Sequence, residues 1–96
     1  MILEVATLNV REGQTADFEA AFAIAQQYIA QIEGYHGHQL QRCLENSHQY
    51  LLLVQWESLE AHTIGFRQSP QYQEWRRLLH HFYDPFPTVE HYETVL

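Results

Sequence analysis

His62 is the residue whose type and surroundings best fit catalysis. It shares one helical face with Leu59 and Phe66 through i, i+3, i+7 spacing. An imidazole readily gains or loses a proton near neutral pH, so His62 could act as a general base or as a hydrogen-bond partner of a ligand. The alternative is a core histidine whose ring nitrogens are satisfied by neighbouring protein groups.

Aromatic residues concentrate around His62 and predict a pocket for a small aromatic or apolar ligand. The candidate pocket residues are Trp56, Phe66, Tyr72, Trp75, Arg76 and Phe82. Tyr72, Trp75 and Phe82 follow one helical stripe, and such stripes are more often core than binding site. Arg76 could orient an oxygen atom of a substrate, or it could lie in solvent or pair with Glu74 or Glu60.

Metal and nucleotide chemistry are not predicted. The chain has seven histidines, but no H-x-x-x-H or C-x-x-C spacing that would bring ligands together. It has no glycine-rich phosphate loop and no G-x-S-x-G nucleophile motif. We therefore predict no cofactor and no metal.

The composition of the chain argues against several classes of partner. The 96 residues predict one domain, 1–96, and the net charge of −7 argues against nucleic acid and against an anionic membrane surface. The single cysteine, Cys43, cannot form an internal disulfide and is interpreted as structural, which favours a reducing, cytoplasmic location. No apolar run approaches the roughly 20 residues of a spanning helix, and the N-terminal segment is predicted as a strand.

Hydrophobic periodicity predicts seven elements that would position these residues. They are a strand over Ile2–Val10, a helix from an N-cap at Thr15 to a terminating Gly34, strands His38–Glu45 and His48–Trp56, a short helix Leu59–Phe66 capped by Ser58, a helix from Ser69-Pro70 to about Tyr83, and a strand Val89–Val95. The order β-α-β-β-α-α-β is typical of an α+β, ferredoxin-like fold, with helices on one face of a four-stranded antiparallel sheet.

The third strand predicts a second copy of the chain. Leu51, Leu52, Leu53 and Val54 are consecutive, so apolar groups lie on both faces of the sheet. Two helices of this length cover one face only. A homodimer is the simplest way to cover the other.

The ordered motifs of the second half resemble those of the antibiotic biosynthesis monooxygenase family. They are Trp56-Glu-Ser, Leu59-Glu-Ala-His62, Phe66-Arg-x-Ser69, Tyr72-x-x-Trp75-Arg76 and Glu90-His-Tyr92. The resemblance covers essentially the whole chain. It implies a dimeric α+β barrel, in which two sheets pack face to face and each subunit keeps a cavity between its sheet and helices.

The resemblance also implies candidate activities. Some members oxygenate phenols or quinols with O₂ and no cofactor, which requires a proton acceptor and a dry aromatic slot; His62 and the pocket aromatics would supply them. Other members degrade haem through a histidine on the second long helix, where this chain has Trp75 and Arg76, so haem degradation is not favoured. The alternatives are a non-catalytic small-ligand-binding or stress-response module, and a lactone or ketone isomerase.

Overall fold

The four strands form one antiparallel sheet in the order β2-β3-β1-β4. The computed structural model describes residues 1–96. Its elements are β1 (Ile2–Asn9), α1 (Thr15–Ile29), β2 (Tyr35–Arg42), β3 (Gln49–Trp56), a π-helical segment (Ala61–Phe66), α2 (Pro70–Leu79), a 3-10 turn (His80–Phe82) and β4 (Val89–Glu93). The predicted element order and the ferredoxin-like α+β fold are confirmed. None of these helices combines the length and apolar character needed to cross a bilayer.

The sheet buries one face against the helices. Along β3, Leu52, Val54 and Trp56 are buried in the core, while Leu51 and Leu53 point to the opposite face and are half-buried. Side chains alternate between faces along a strand, so this pattern follows directly from the run of four apolar residues. The two-sided apolar character of the strand is confirmed, and no helix covers its second face.

Helix α1 is shorter than predicted. It ends at Ile29, its N-cap position is Gln14 rather than Thr15, and no side chain caps it. Ile32 still packs against the core, as its spacing predicted. The reason is local: the N–H of Ile32 donates to the carbonyl of Ile29, so tighter 3-10 bonding follows the last α-helical turn and keeps Ile32 on the inner side.

The β2 prediction was displaced by three residues. The strand begins at Tyr35, and Leu44, predicted within it, is exposed in the loop. Gly34 sets the earlier start: it has φ +90° and its carbonyl accepts the Glu57 N–H at 2.7 Å. A Cβ at this glycine would lie 2.8 Å from the Cβ of Ala61, so only glycine fits the close approach.

The segment that carries His62 is a π-helix rather than the predicted α-helix over Leu59–Phe66. The backbone N–H of Arg67 donates to the carbonyl of His62 at 3.1 Å, which is the i→i+5 bond of that geometry. The wider turn buries His62 and Phe66 and leaves Leu59 41% exposed, so Leu59 does not share their face as predicted.

Both predicted serine caps are confirmed. Ser58 Oγ accepts the N–H of Ala61 at 3.2 Å, and Ser69 Oγ accepts the N–H of Tyr72 at 3.1 Å. Pro70 occupies the first position of α2. The predicted helix to Tyr83 is α2 followed by the 3-10 turn, and β4 ends two residues earlier than predicted.

Candidate active site

A cavity of about 380 Å³ lies between the sheet and the second half of the chain. Its volume falls in the range of roughly 300–1,000 Å³ that is usual for small-molecule sites. The sheet contributes Glu4, Ala6, Leu8, Leu52 and Val89, the helical segments contribute His62, Phe66, Arg67, Tyr72 and Trp75, and the C-terminal turn and loop contribute His80, Tyr83, Phe86 and Pro87. Most of these side chains are apolar, so the few polar groups define the chemistry.

A buried carboxyl group meets the imidazole at one end of the cavity. Glu4 Oε1 lies 3.4 Å from His62 Nε2 and accepts the indole N–H of Trp56 at 2.9 Å. The imidazole stacks on the Trp56 ring, with centroids 5.3 Å apart and planes 13° apart. Glu4 and His62 are 5% and 3% exposed, so the pair lies in a largely dry environment.

A second histidine continues this pair into a chain of three residues. His91 on β4 pairs with Glu4 across the β1–β4 ladder, which places His91 Nε2 2.7 Å from His62 Nδ1. His62 Nδ1 is therefore occupied by His91, and these side chains do not form a group that could hold a metal ion.

One hydrogen bond and one close contact link these three residues. An indole N–H can only donate, so Glu4 Oε1 accepts from Trp56. His62 Nδ1 and His91 Nε2 share a hydrogen bond in which one nitrogen donates and the other accepts. His62 Nε2 lies 3.4 Å from Glu4 Oε1 without forming a hydrogen bond to it. Because the three groups lie this close together, their proton states are coupled.

Burial sets the charge states. Burial, together with the positive charges of Arg67 and His91, lowers the pKa of His62 to about 3, so the ring is neutral near pH 7. Burial raises the pKa of Glu4, while the Trp56 hydrogen bond and Arg67 oppose the rise. Both shifts favour the neutral forms, so we describe the 3.4 Å approach of His62 Nε2 to Glu4 Oε1 as a contact of a neutral imidazole and not as an ion pair.

Three polar atoms of cavity-lining residues reach open space. Glu4 Oε2, the Tyr83 hydroxyl and His62 Nε2 make no hydrogen bond within the chain, yet no fully buried side-chain polar atom lacks a partner. All three atoms therefore contact open space, and their residues line the cavity. Burial and the charge of Glu4 raise the pKa of Tyr83, so its hydroxyl stays protonated and can donate.

The structure places the predicted site residues in two groups. His62, Phe66, Tyr72 and Trp75 line the cavity together. Trp56 lies behind His62 as a stacking partner, Phe82 is buried in the core, and Arg76 is exposed and does not line the cavity. His62 as the base stays a prediction: His62 Nδ1 is bonded to His91, while His62 Nε2 and Glu4 Oε2 are two basic atoms that make no hydrogen bond within the chain.

Sequence reasoning missed Glu4, His91, Arg67 and Tyr83. Glu4 had a readable signal: it is the one charged residue in the strand Ile2–Asn9, and it shares its face with Ala6 and Leu8. A carboxyl group on a buried face is rare and calls for a partner. His91 lacked any signal of its own, because its role depends on the β1–β4 pairing.

Comparison with known proteins assigns the chain to a family. The sequence model of the antibiotic biosynthesis monooxygenase family matches residues 1–78. The chain belongs to that family. Bacillus subtilis (strain 168) has a relative, named uncharacterized protein YczJ, that is 54% identical over 95 residues, covering 99% of this chain and 100% of the relative.

Solved structures of the family share the fold. A Bordetella bronchiseptica protein, provisionally named an antibiotic biosynthesis monooxygenase, is 40% identical with a TM-score of 0.93, over 99% of this chain and 97% of that chain. SnoaB from Streptomyces nogalater, described as a cofactor-independent oxygenase, is 23% identical with a TM-score of 0.71, over 99% of this chain and 92% of that chain. The likeness to SnoaB concerns the fold alone.

Proposed function

We propose that this protein is a cofactor-independent monooxygenase that acts on a small hydroxylated aromatic or quinol with O₂. The observation that carries the proposal is the buried Glu4–His62 pair at one end of an apolar cavity that is lined by Phe66, Tyr72 and Trp75. Membership of the antibiotic biosynthesis monooxygenase family supports it. The same fold serves the cofactor-independent oxygenase SnoaB.

The reaction begins with proton removal. A phenol reacts slowly with O₂, whereas its phenolate is electron-rich enough to transfer one electron. Glu4 Oε2 accepts the phenolic proton, while the Trp56 indole N–H holds the other carboxyl oxygen in place and His62 packs beside it. His62, predicted as the base from the sequence, acts in this scheme through Glu4.

The oxygen steps then need only the substrate and O₂. One electron passes from the phenolate to O₂, the resulting phenoxyl radical and superoxide combine at a ring carbon, and the peroxide takes up a proton. Loss of water across the O–O and ring C–H bonds leaves a quinone. One atom of O₂ enters the product and the other leaves as water, so phenol plus O₂ balances quinone plus water.

Oxygen uptake tests this function. The protein, treated with a chelator and free of added flavin or metal, should consume O₂ with at least one member of a panel of phenols and hydroquinones. Glu4→Gln and His62→Ala should each slow uptake by roughly 100-fold or more, the usual contribution of a positioned proton acceptor. If His62→Ala matched the wild type on every active compound, the role assigned to His62 would be wrong.

The same pair also suits a second reaction class. A carboxylate backed by an imidazole can move a proton between two positions of a small lactone or ketone, which is isomerase chemistry without O₂. Turnover that persists under anaerobic conditions would favour this candidate. Ligand protection against thermal unfolding with no turnover at all would instead favour a non-catalytic binding module.

We also infer that two copies of the chain pack through the uncovered sheet face. Its central side chains include Leu3, Val5, Leu51 and Leu53, which are half-buried in the single chain and have no helix above them. A second copy would remove this apolar surface from water and leave one cavity in each subunit.

A further inference from the structure

Arg67 is the arginine that lines the cavity; it is exposed, and its side chain has no hydrogen-bond or ion-pair partner within the chain. The protein has five arginines and no lysine. Three of them form ion pairs at 3.1–3.3 Å, namely Arg11 with Asp84, Arg42 with Glu19, and Arg77 with Glu74. Arg76 is also unpaired but lies outside the cavity, so Arg67 is the guanidinium that is free to pair with an anionic ligand there.

The backbone fixes Arg67 beside the Glu4–His62 pair. Arg67 directly follows the π-helical segment, and its N–H donates to the carbonyl of His62 at 3.1 Å. Its positive charge lowers the pKa of Glu4, His62 and His91, so all three feel the guanidinium. The cation is therefore within electrostatic reach of the place where a ligand would lose its proton.

The Tyr83 hydroxyl adds a neutral donor to the same cavity. It is buried, has no partner in the chain and opens into the cavity, as described above. The site thus offers a proton acceptor, Glu4 Oε2, together with a cation and a hydroxyl donor. This set is complementary to a phenol that has passed its proton to Glu4.

We propose that the cavity binds its hydroxylated aromatic ligand as the phenolate, paired with the Arg67 guanidinium and with the released proton held on Glu4. The phenol O–H bond breaks, its electron pair stays on the ligand oxygen, and a new O–H bond forms at Glu4 Oε2. Net charge is unchanged, because the negative charge moves from Glu4 to the ligand within the field of Arg67. The ligand class rests on the proposed function, but the phenolate preference needs no reaction with O₂.

The test uses 4-nitrophenol, whose phenolate is yellow and whose phenol is colourless. Its electron-poor ring does not react with O₂, so binding is measured without turnover. The pH at which the bound dye becomes half ionised is compared with that of the free dye. If the protein binds the phenolate more tightly than the phenol, this pH falls by the logarithm of the ratio of the two affinities. We expect a ratio of at least about ten, which lowers the pH by about one unit. The titratable groups that face the dye are Glu4, His62, His80, Tyr72 and Tyr83, with His91 behind them.

Arginine variants assign the effect. Arg67→Gln should abolish the shift, and Arg67→Lys should keep most of it because the charge remains. Arg76→Gln is the matched control, since Arg76 is also exposed and unpaired and lies near enough to lower the pKa of His80, but does not line the cavity. In Arg76→Gln the ratio of phenolate affinity to phenol affinity should stay within about a factor of two of the wild-type ratio.

Several outcomes would overturn the proposal. One is an unshifted or raised ionisation pH of the dye bound to the wild type. Another is a shift that Arg67→Gln and Arg76→Gln reduce equally. The third is no binding of 4-nitrophenol up to its solubility limit. The proposed function fails separately: absence of O₂ uptake on every phenol, with the phenolate preference intact, would refute the oxygenase and leave the Arg67 site standing.

Discussion

Replacing His62 with phenylalanine should make the protein less sensitive to acid. The imidazole is 3% exposed and packs against the rings of both Trp56 and Phe66, so a phenyl ring of similar shape fits the site. Burial lowers the pKa of His62 from 6.5 to about 3. Between these values the unfolded chain binds a proton at this residue that the folded chain does not.

The sign and size follow from proton linkage. Stability rises with pH wherever the unfolded state binds more protons, so the contribution of His62 is complete above pH 6.5 and is lost as the pH falls toward 3. From pH 7 to pH 4, the full shift corresponds to about 3 kcal/mol. The raised pKa of Glu4 leaves its carboxyl group protonated at pH 4, so it does not offset this loss. Glu4 is present in both proteins, and its raised pKa contributes with the opposite sign in each.

The measurement is urea unfolding at pH 7 and pH 4, followed by the fluorescence of Trp56 and Trp75 at one protein concentration. The wild type should lose about 3 kcal/mol more than His62→Phe between the two pH values. His36→Gln, at an exposed position, is the control and should lose as much as the wild type. Equal losses in the wild type and His62→Phe, within about 0.5 kcal/mol, would show that His62 titrates alike folded and unfolded and would refute the buried neutral imidazole.

Three further predictions concern the fold and the assembly. Gly34→Ala should lower the free energy of unfolding by about 2–3 kcal/mol, because φ is +90° and the new Cβ meets Ala61 at 2.8 Å; urea unfolding measures it. Ser69→Ala should cost about 1 kcal/mol, because the N–H of Tyr72 loses its cap, and the same unfolding assay reports it. Leu53→Glu should turn the proposed dimer into a monomer in sedimentation at micromolar concentration, because it places a charge in the uncovered sheet face.

Matched variants separate these causes. Gly13→Ala has φ +80° but open space around the new Cβ, so it should cost only about 1 kcal/mol; an equal cost at both glycines would mean that contact with Ala61 is unimportant. A Ser69→Thr variant keeps the capping oxygen and should retain most of the stability. Ile24→Glu changes an exposed residue of α1 and should stay dimeric, and a monomeric wild type would contradict the dimer itself.

The fold was predictable because local signals agreed with one another. The apolar alternation of β1 and β3, the serine caps at Ser58 and Ser69, and Pro70 each act over a few residues, and all point to one topology. The wrong predictions concern positions whose local structure is set by tertiary contacts. Gly34 moved the start of β2, because its carbonyl bonds to Glu57, 23 positions away. The π-helical geometry at His62 left no trace in the spacing of its residues.

The site was only partly predictable for the same reason. His62 and the aromatics beside it occur in one continuous segment, so their proximity could be inferred from spacing. The partners of His62 come from β1 and β4, at the two ends of the chain, and meet it only through the strand order β2-β3-β1-β4. Glu4 can be recognised in the sequence as a charged residue in an apolar strand, but its contact with His62 can be known only from the fold.

Isotope labelling gives the most direct test of the proposed chemistry. The wild-type protein is supplied with ¹⁸O₂ and an active phenol or hydroquinone, and the product is analysed by mass spectrometry, with a parallel reaction in ¹⁸O-labelled water to correct for exchange of quinone oxygens. The account predicts one ¹⁸O atom per product molecule and the other in water, with the signal strongly reduced in Glu4→Gln. Product formed without ¹⁸O from O₂, or at the same rate in Glu4→Gln, would contradict a monooxygenase that depends on this carboxyl group.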